Sequence, residues 1–242
     1  MSSAAPAADK YTPCYRSATL VKSQPLTAEV RLLTLEIEGG SHLEYRAGQS
    51  IRVEQELNGK LVPLAYSIAS PPDSGNRIEL CIKPGRKGSP ADRLCALPVG
   101  TVLRVSLPEG GFTLQPAEAA SLFLAAGTGI APIRSMVHCL LRENAGQTVT
   151  LIFGAKDADS LFFHAEFLDL AGRYANFRYI PVLSQPQQGW DGACGYVQNH
   201  LDGIASQESR AYLCGPPAMI ENASRSLAEL GWPEHRIHFE RY

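Results

Sequence analysis

At 242 residues, 45% hydrophobic and 19% charged, the chain has a globular composition and enough length for two ordinary domains. A formal net charge of −2 and a pI near 6.3 argue against a nucleic-acid binder, which would carry a basic surface. No apolar run approaches the ~20 residues that a membrane-spanning helix needs.

The chain opens Met1-Ser2-Ser3-Ala4-Ala5-Pro6, with neither a basic start nor an apolar middle, so residues 1–12 read as a mobile tail and not as a secretory signal. From about Tyr15 to Leu114, short strand-like runs are separated by Gly, Pro and Asn. They lie at Val30–Ile37, Ser50–Glu54, Leu64–Ala69, Arg77–Lys83 and Thr101–Leu107. Ile78, Leu80 and Ile82 share one face of their run, and Leu103, Val105 and Leu107 share one face of theirs. Such alternation predicts half-buried antiparallel strands, and their number suits a small β-barrel over residues 13–115. Within this half, Ser89, Pro90 and Asp92 form a helix start: a capping hydroxyl, proline at the first position and an acid at the third. Preceded by Gly85, Arg86, Lys87 and Gly88, that start reads either as a phosphate cradle or as a capped surface helix with two solvated cations.

After Pro116 the texture changes. Strand-like runs at Leu122–Ala126, Val149–Phe153, Phe177–Val182 and Ala211–Leu213 alternate with helical stretches near Pro132–Asn144, Ser160–Ala171, Val197–Ile204 and Pro217–Leu230. The alternation predicts an α/β domain with a parallel sheet over residues 116–242. The first of these strands ends in Gly127-Thr128-Gly129, and Pro132 follows at a helix start. Glycines let the backbone approach a ligand, and the helix N-terminus offers free N–H groups and partial positive charge to a phosphate. Read alone, the turn serves equally well to close a βα unit. A second strand-to-helix turn, Cys214-Gly215-Pro216-Pro217, strengthens the nucleotide reading, because ligands of such sheets bind at the C-terminal strand edges.

The six cysteines fall into neither C-x₂-C pairs nor iron–sulfur spacing, which predicts mostly reduced core thiols and a cytoplasmic setting. His42, His138, His164, His200, His235 and His238 lack metal-ligand spacing, so no metal site is expected. No Gly-x-Ser-x-Gly elbow marks a hydrolase.

In order along the chain stand Ala47-Gly48-Gln49, Ala65-Tyr66-Ser67, Gly85–Ser89, Gly127–Pro132, Phe153–Lys156, Trp190-Asp191-Gly192, Cys214–Pro217 and Phe239-Glu240-Arg241-Tyr242. This series resembles the ferredoxin–NADP reductase superfamily of flavoprotein reductases over about Tyr15 to Tyr242. The resemblance implies two domains: an N-terminal antiparallel Greek-key β-barrel for flavin and a C-terminal α/β parallel-sheet domain for the nicotinamide nucleotide. It implies FAD, or FMN in its place, with NADH or NADPH as donor, and either a protein electron acceptor (a ferredoxin, a flavodoxin or an oxygenase component) or free flavin as partner; the remaining alternative is a nucleotide-binding electron-transfer or regulatory subunit of a larger complex. It places Tyr66 against the flavin ring, Ser67 near its reactive edge and Cys214 beside the nicotinamide. Glu240 would sit close to the same centre, and Tyr242 would cover the other flavin face. Arg86, Lys87, Gly88 and Ser89 correspond to the flavin phosphate loop, and Gly127, Thr128, Gly129, Pro132, Gly215 and Pro216 to the nucleotide turns. Packing alone is the competing reading for Tyr66, Cys214 and Tyr242.

One position departs from the pattern. Leu64 stands where the family usually has an arginine that contacts flavin phosphate, and Arg86 and Lys87 are the candidates to replace it. Ser184 is followed by Gln185, where NADPH-using relatives place a cation; this favours NADH, and Lys156 is the residue that could reverse it.

Overall fold

The computed structural model describes residues 14–40, 42–57, 59–115, 120–143, 146–203 and 209–241. The predicted tail over 1–12 and the site residue Tyr242 lie outside them. The first half forms an antiparallel sheet of β1 (Tyr15–Pro25), β2 (Arg31–Ile37), β3 (Ser50–Leu57), β4 (Lys60–Ser67), β5 (Arg77–Ile82) and β6 (Val102–Ser106). The strand order is β4-β3-β6-β1-β2-β5. Its two edges meet where Ile68 bridges Leu80 and the Ala69 N–H donates to the Glu79 carbonyl at 2.8 Å, which curls the sheet into a barrel. The predicted alternation is visible in β3, where Ile51, Val53 and Gln55 point inward between more exposed neighbours. Leu20, Leu33, Leu35, Ile51, Val53, Ile78 and Leu80 fill the interior, each contributing about 1.5–3 kcal/mol through burial. The short helix α1 (Pro90–Ala96) follows β5. The Ser89 hydroxyl caps it by accepting from the Asp92 N–H at 3.1 Å.

The second half is a parallel sheet of β7 (Ala120–Ala126), β8 (Thr148–Ala155), β9 (Phe177–Leu183), β10 (Ala193–Cys194), β11 (Arg210–Gly215) and β12 (Ile237–Arg241). Helices α2 (Ile130–Glu143), α3 (His164–Arg173) and α4 (Pro217–Glu229) cover it. The order is β10-β9-β8-β7-β11-β12. The chain therefore walks outward from β7 to β10, then returns to lay β11 against the other side of β7. The topology reverses between β7 and β11, and the loops leaving those two strands diverge to open a crevice there. Among the described residues, no helix is long and apolar enough to cross a membrane.

Two expected helices differ. Val197–His200 is a single 3-10 turn, not the start of a long helix; residues 204–208, which include the expected end, lie outside the described residues. The helix expected from Ser160 starts at His164, because Asp157 caps a separate 3-10 turn over Ala158–Ser160. Phe163, with φ of 62°, then turns the chain into α3. The thiols also divide: Cys81, Cys95 and Cys214 are buried, whereas Cys14 and Cys194 are exposed.

Helix α2 joins the halves. One face packs on the parallel sheet and the other on the barrel, where the Ser135 hydroxyl donates to the Ser70 carbonyl at 2.7 Å. Arg134 donates to the Ala69 carbonyl at 2.9 Å. Gly48, at φ +96°, lets the barrel turn close on this helix: a Cβ there would lie 2.1 Å from the Phe112 carbonyl oxygen and 2.2 Å from the Met136 methyl. The Gly127–Gly129 turn runs as a 3-10 helix straight into α2. A Cβ on Gly129 would stand 2.2 Å from the Cys214 carbonyl oxygen and 2.8 Å from the Gly215 nitrogen. Backbone meets backbone there with no room for a methyl group. Gly129→Ala should therefore lower unfolding free energy by about 1–3 kcal/mol in urea titrations, the range for overpacking a tight site.

Candidate active site

Two cavities open at the crevice. The larger, about 820 Å³, lies over the C-terminal ends of the parallel strands. Gly127 and Thr128 wall it after β7, Lys156 after β8, Ser184 after β9 and Pro216 after β11. The smaller, about 500 Å³, lies between the two halves. Its barrel wall is Ala65, Tyr66, Ser67, Ile82, Gly85 and Ala91; its other wall is Thr128, Gly129, Ala131 and Cys214, with Glu240 and Arg241 from β12. Thr128 and Lys83 border both spaces, so the cavities adjoin.

Strand register explains why distant residues converge. Cys214 pairs with Ala125 on one side and with Glu240 on the other, so β11 sets the thiol and β12 the carboxylate at one level. The Ser67 hydroxyl, at the end of β4, donates to Glu240 Oε2 at 3.2 Å and ties the barrel to the outermost parallel strand. Cys214 is 1% exposed; burial, reinforced by the nearby Glu240 carboxylate, pushes its thiol well above the usual value, so it stays protonated and neutral. Burial likewise raises the Glu240 carboxyl, and the Ser67 hydrogen bond offsets part of that rise. Tyr66 is half-buried, and its hydroxyl accepts from Gln55 Nε2 at 2.8 Å. Gln55 is 9% exposed on the inward face of β3, a buried amide holding the ring in place.

Several predicted site residues sit elsewhere. Arg86, Lys87, Gly88 and Ser89 border neither cavity, although their neighbours Gly85 and Ala91 do. Two of the loop's backbone donors are engaged internally: Gly88 N–H on Asp92 Oδ2 at 2.7 Å, Ser89 N–H on the Arg86 carbonyl at 2.9 Å. Its two cations project into solvent. Pro132 is buried as the third residue of α2 and touches neither space; its missing N–H falls in the first helical turn. Gly215 is buried behind the turn and lines neither cavity, and Trp190-Asp191-Gly192 forms a turn that the Trp190 indole closes on the Ala193 carbonyl at 3.0 Å. Leu64 is half-buried opposite Val53 on β4.

Other lining residues carried no signal in the sequence. Thr27, Ala28 and Glu29, in the turn between β1 and β2, reach the larger cavity from the barrel side, with Glu29 paired to Lys83 at 2.7 Å. Tyr196 and Gln198 line it from the 3-10 turn that had been expected as helix.

The residues present fit the two expected cofactors. The smaller cavity combines small residues such as Ala65, Gly85, Ala91 and Gly129 with one aromatic side chain, Tyr66, which suits a fused flavin ring, and it is within the ordinary size range of ligand sites. In the larger one, Gln198 Oε1 is buried without a hydrogen-bond partner among the described residues, a vacancy that a nucleotide amine or hydroxyl would fill. The N-terminus of α2 and Lys156 supply positive potential for phosphate.

Glu240 gives a pH test. Its folded pKa lies above the usual 4.5, so wild-type stability falls as pH rises from that value. Glu240→Gln removes the liability. In urea titrations at pH 4 and pH 7, the variant should gain stability relative to wild type at the higher pH; an unchanged difference contradicts a buried carboxylate.

Residues 17–114 match the family described as the oxidoreductase FAD-binding domain, and residues 123–225 the oxidoreductase NAD-binding domain. The chain is 36% identical over 236 residues to ferredoxin–NADP reductase B of Sorangium cellulosum, covering 93% of this chain and 96% of that one. It is 32% identical to the reductase component of phenol 2-monooxygenase from Pseudomonas sp. (strain CF600), covering 83% of this chain but 58% of that component's length. The fold superposes on a cytochrome P450 reductase from Amycolatopsis with a TM-score of 0.84 at 24% identity, covering 98% of this chain and 73% of that one. The chain thus belongs to the ferredoxin–NADP reductase superfamily, as an NAD(P)H-dependent flavoprotein oxidoreductase that uses FAD.

Proposed function

We propose that residues 13–115 hold the flavin and residues 116–242 the nicotinamide nucleotide, and that the site carries electrons from NADH to a protein acceptor. The observation that carries this reading is the junction of the two cavities at Thr128, with Tyr66 and Ser67 on one side and Cys214 on the other. Tyr66, Ser67, Gly85 and Ala91 would hold FAD, which would supply the exchange between two-electron transfer from the nicotinamide and one-electron transfer to the acceptor.

The protein's own part is binding, orientation and exclusion of water. The turn over Gly127–Gly129 and the α2 N-terminus hold pyrophosphate, and Lys156 and Ser184 hold the adenosine end. The neutral Cys214 thiol is a wall that orients the nicotinamide and not a nucleophile. Tyr66, held by Gln55, flanks the flavin ring, while Ser67 and Glu240 keep a proton at its edge. Gly85 and Ala91 let the rest of the flavin pass close to the barrel.

NADH is favoured over NADPH. Glu29, Asp157 and Asp159 border the larger cavity, Lys83 is already engaged by Glu29, and Gln185 supplies no cation. A 2′-phosphate would meet carboxylates with Lys156 as the remaining counter-charge in that wall. We expect kcat/KM for NADH to exceed that for NADPH by about tenfold or more; the reverse order means that Lys156 dominates.

The acceptors named for relatives, among them a ferredoxin and an oxygenase, support a protein carrier here. All six cysteines are free thiols, which supports a cytoplasmic setting. Leu64 favours one second reading, in which flavin, whether FAD or FMN, is a diffusible substrate. Purified protein should be yellow and should be bleached anaerobically by NADH; failure to show a flavin spectrum after incubation with FAD or FMN overturns the flavoenzyme reading. Colourless protein whose NADH oxidation requires added flavin selects the second one. Leu64→Arg should then tighten flavin binding by about tenfold or more, the worth of one charge-assisted hydrogen bond.

A further inference from the structure

The seam between the halves holds a charged cluster that the electron-transfer site does not use. Arg134, on α2, is 13% exposed in its side chain. Its Nη1 donates to the Ala69 carbonyl at 2.9 Å and to Glu79 Oε2 at 2.8 Å, both in the barrel. Its Nε donates to Glu166 Oε1 at 2.7 Å, on α3 of the nucleotide half. The guanidinium also lies over the Phe163 ring, 4.6 Å from its centroid. His138 Nε2 meets the same Glu166 oxygen at 2.6 Å. Burial opposes ionisation of Glu166, yet His138 and Arg134 outweigh it and hold the carboxyl below its usual range.

Stability alone does not account for this cluster. Burying an ion pair costs desolvation that its Coulomb attraction barely repays, and apolar substitutes are often neutral; fixing a register is the better-attested use. Two placements favour register. Ala69 is two residues beyond Ser67, and Arg134 is five residues beyond Gly129, so the guanidinium ties together stretches of chain that lie a few residues from each cavity wall. Phe163 has a positive φ outside glycine, a conformation that persists only where the surroundings enforce it. Arg134 covers its ring.

We infer that Arg134, gripping Glu79 and Ala69 on the barrel and Glu166 and Phe163 on the nucleotide half, is a positioning residue that sets the separation between the flavin wall and the nicotinamide wall. Lysine cannot replace it, because a single ammonium lacks the planar fork that reaches both carboxylates and the carbonyl. The inference rests on the proposed electron path from nucleotide to flavin. A displacement of an ångström at the reacting atoms is enough to lose about a hundredfold in rate.

The test uses FAD-loaded full-length protein with Arg134→Met, Arg134→Lys and Glu79→Gln. Anaerobic stopped-flow bleaching gives the saturated reduction rate and the NADH dissociation constant separately. Hydrogen exchange of peptides covering residues 66–72 and 161–168 reports the seam without catalysis. The Met variant should keep flavin content and NADH affinity within about twofold, reduce at least about tenfold more slowly, and exchange faster in both peptides. The Lys variant should recover melting temperature but only part of the rate. Should the Met variant fail to fold, Glu79→Gln, which leaves Arg134 its contacts to Ala69 and Glu166, should show the same split in milder form. A saturated rate within twofold of wild type in the folded variants, or a loss confined to NADH affinity, overturns the inference. Wild-type protein that neither NADH nor NADPH bleaches overturns the electron path itself, and the positioning role with it.

Discussion

The nucleotide half turns on one contact between two stretches of main chain. Gly129 lies so close to the Cys214–Gly215 peptide that no side chain fits between them. The contact holds together the loops leaving β7 and β11, the strands between which the sheet reverses direction. From it follow the direction of α2, the placing of its N-terminus at the mouth of the crevice, and the position of the Cys214 thiol. A glycine here is required by backbone approach, with catalysis as a consequence.

Electrostatics then divides the crevice into regions with different tasks. At its floor, burial keeps the Cys214 thiol protonated and opposes ionisation of the Glu240 carboxyl, while Lys83 and Arg241 also line that space. At its outer rim, Lys156, Lys83, Glu29, Asp157 and Asp159 face a wetter space suited to phosphates and ribose hydroxyls. A neutral ring that gains or loses electrons belongs at the floor; a charged nucleotide tail belongs at the rim. The arrangement would orient a dinucleotide end to end.

Much of this was legible in the sequence because it is local. Alternation in Arg77–Lys83 and Thr101–Leu107 marked barrel strands, and the apolar run before Gly127 marked a buried parallel strand. The two strand-to-helix turns pointed to the proposed nucleotide seat. What stayed hidden is tertiary. Glu29 and Thr27 reach the nucleotide cavity only because the barrel docks against the sheet. Tyr196 and Gln198 lie in a stretch whose helical pattern gives way to a single 3-10 turn. Arg134 looks like any cation on an amphipathic helix until α2 is seen between two apolar surfaces. Arg86 and Lys87 are the opposite case: their charge and the glycines beside them suggest a phosphate cradle, yet they border neither cavity, and Asp92 and the Arg86 carbonyl take two of the loop's backbone donors. The resemblance implied that Glu240 lies close to Cys214, and the register of β12 against β11 sets the two opposite each other in the lining of the smaller cavity.

The central claim is that a nicotinamide and a flavin meet at Thr128, between Cys214 and Tyr66. A crystal structure of the protein with FAD and an oxidised nicotinamide dinucleotide tests it most directly. The account predicts the flavin ring against Tyr66, the pyrophosphate at the N-terminus of α2, and the adenosine end beside Lys156, Tyr196 and Gln198. Density for the dinucleotide away from the Gly127–Gly129 turn, or a flavin bound outside the cavity between Tyr66 and Cys214, contradicts it.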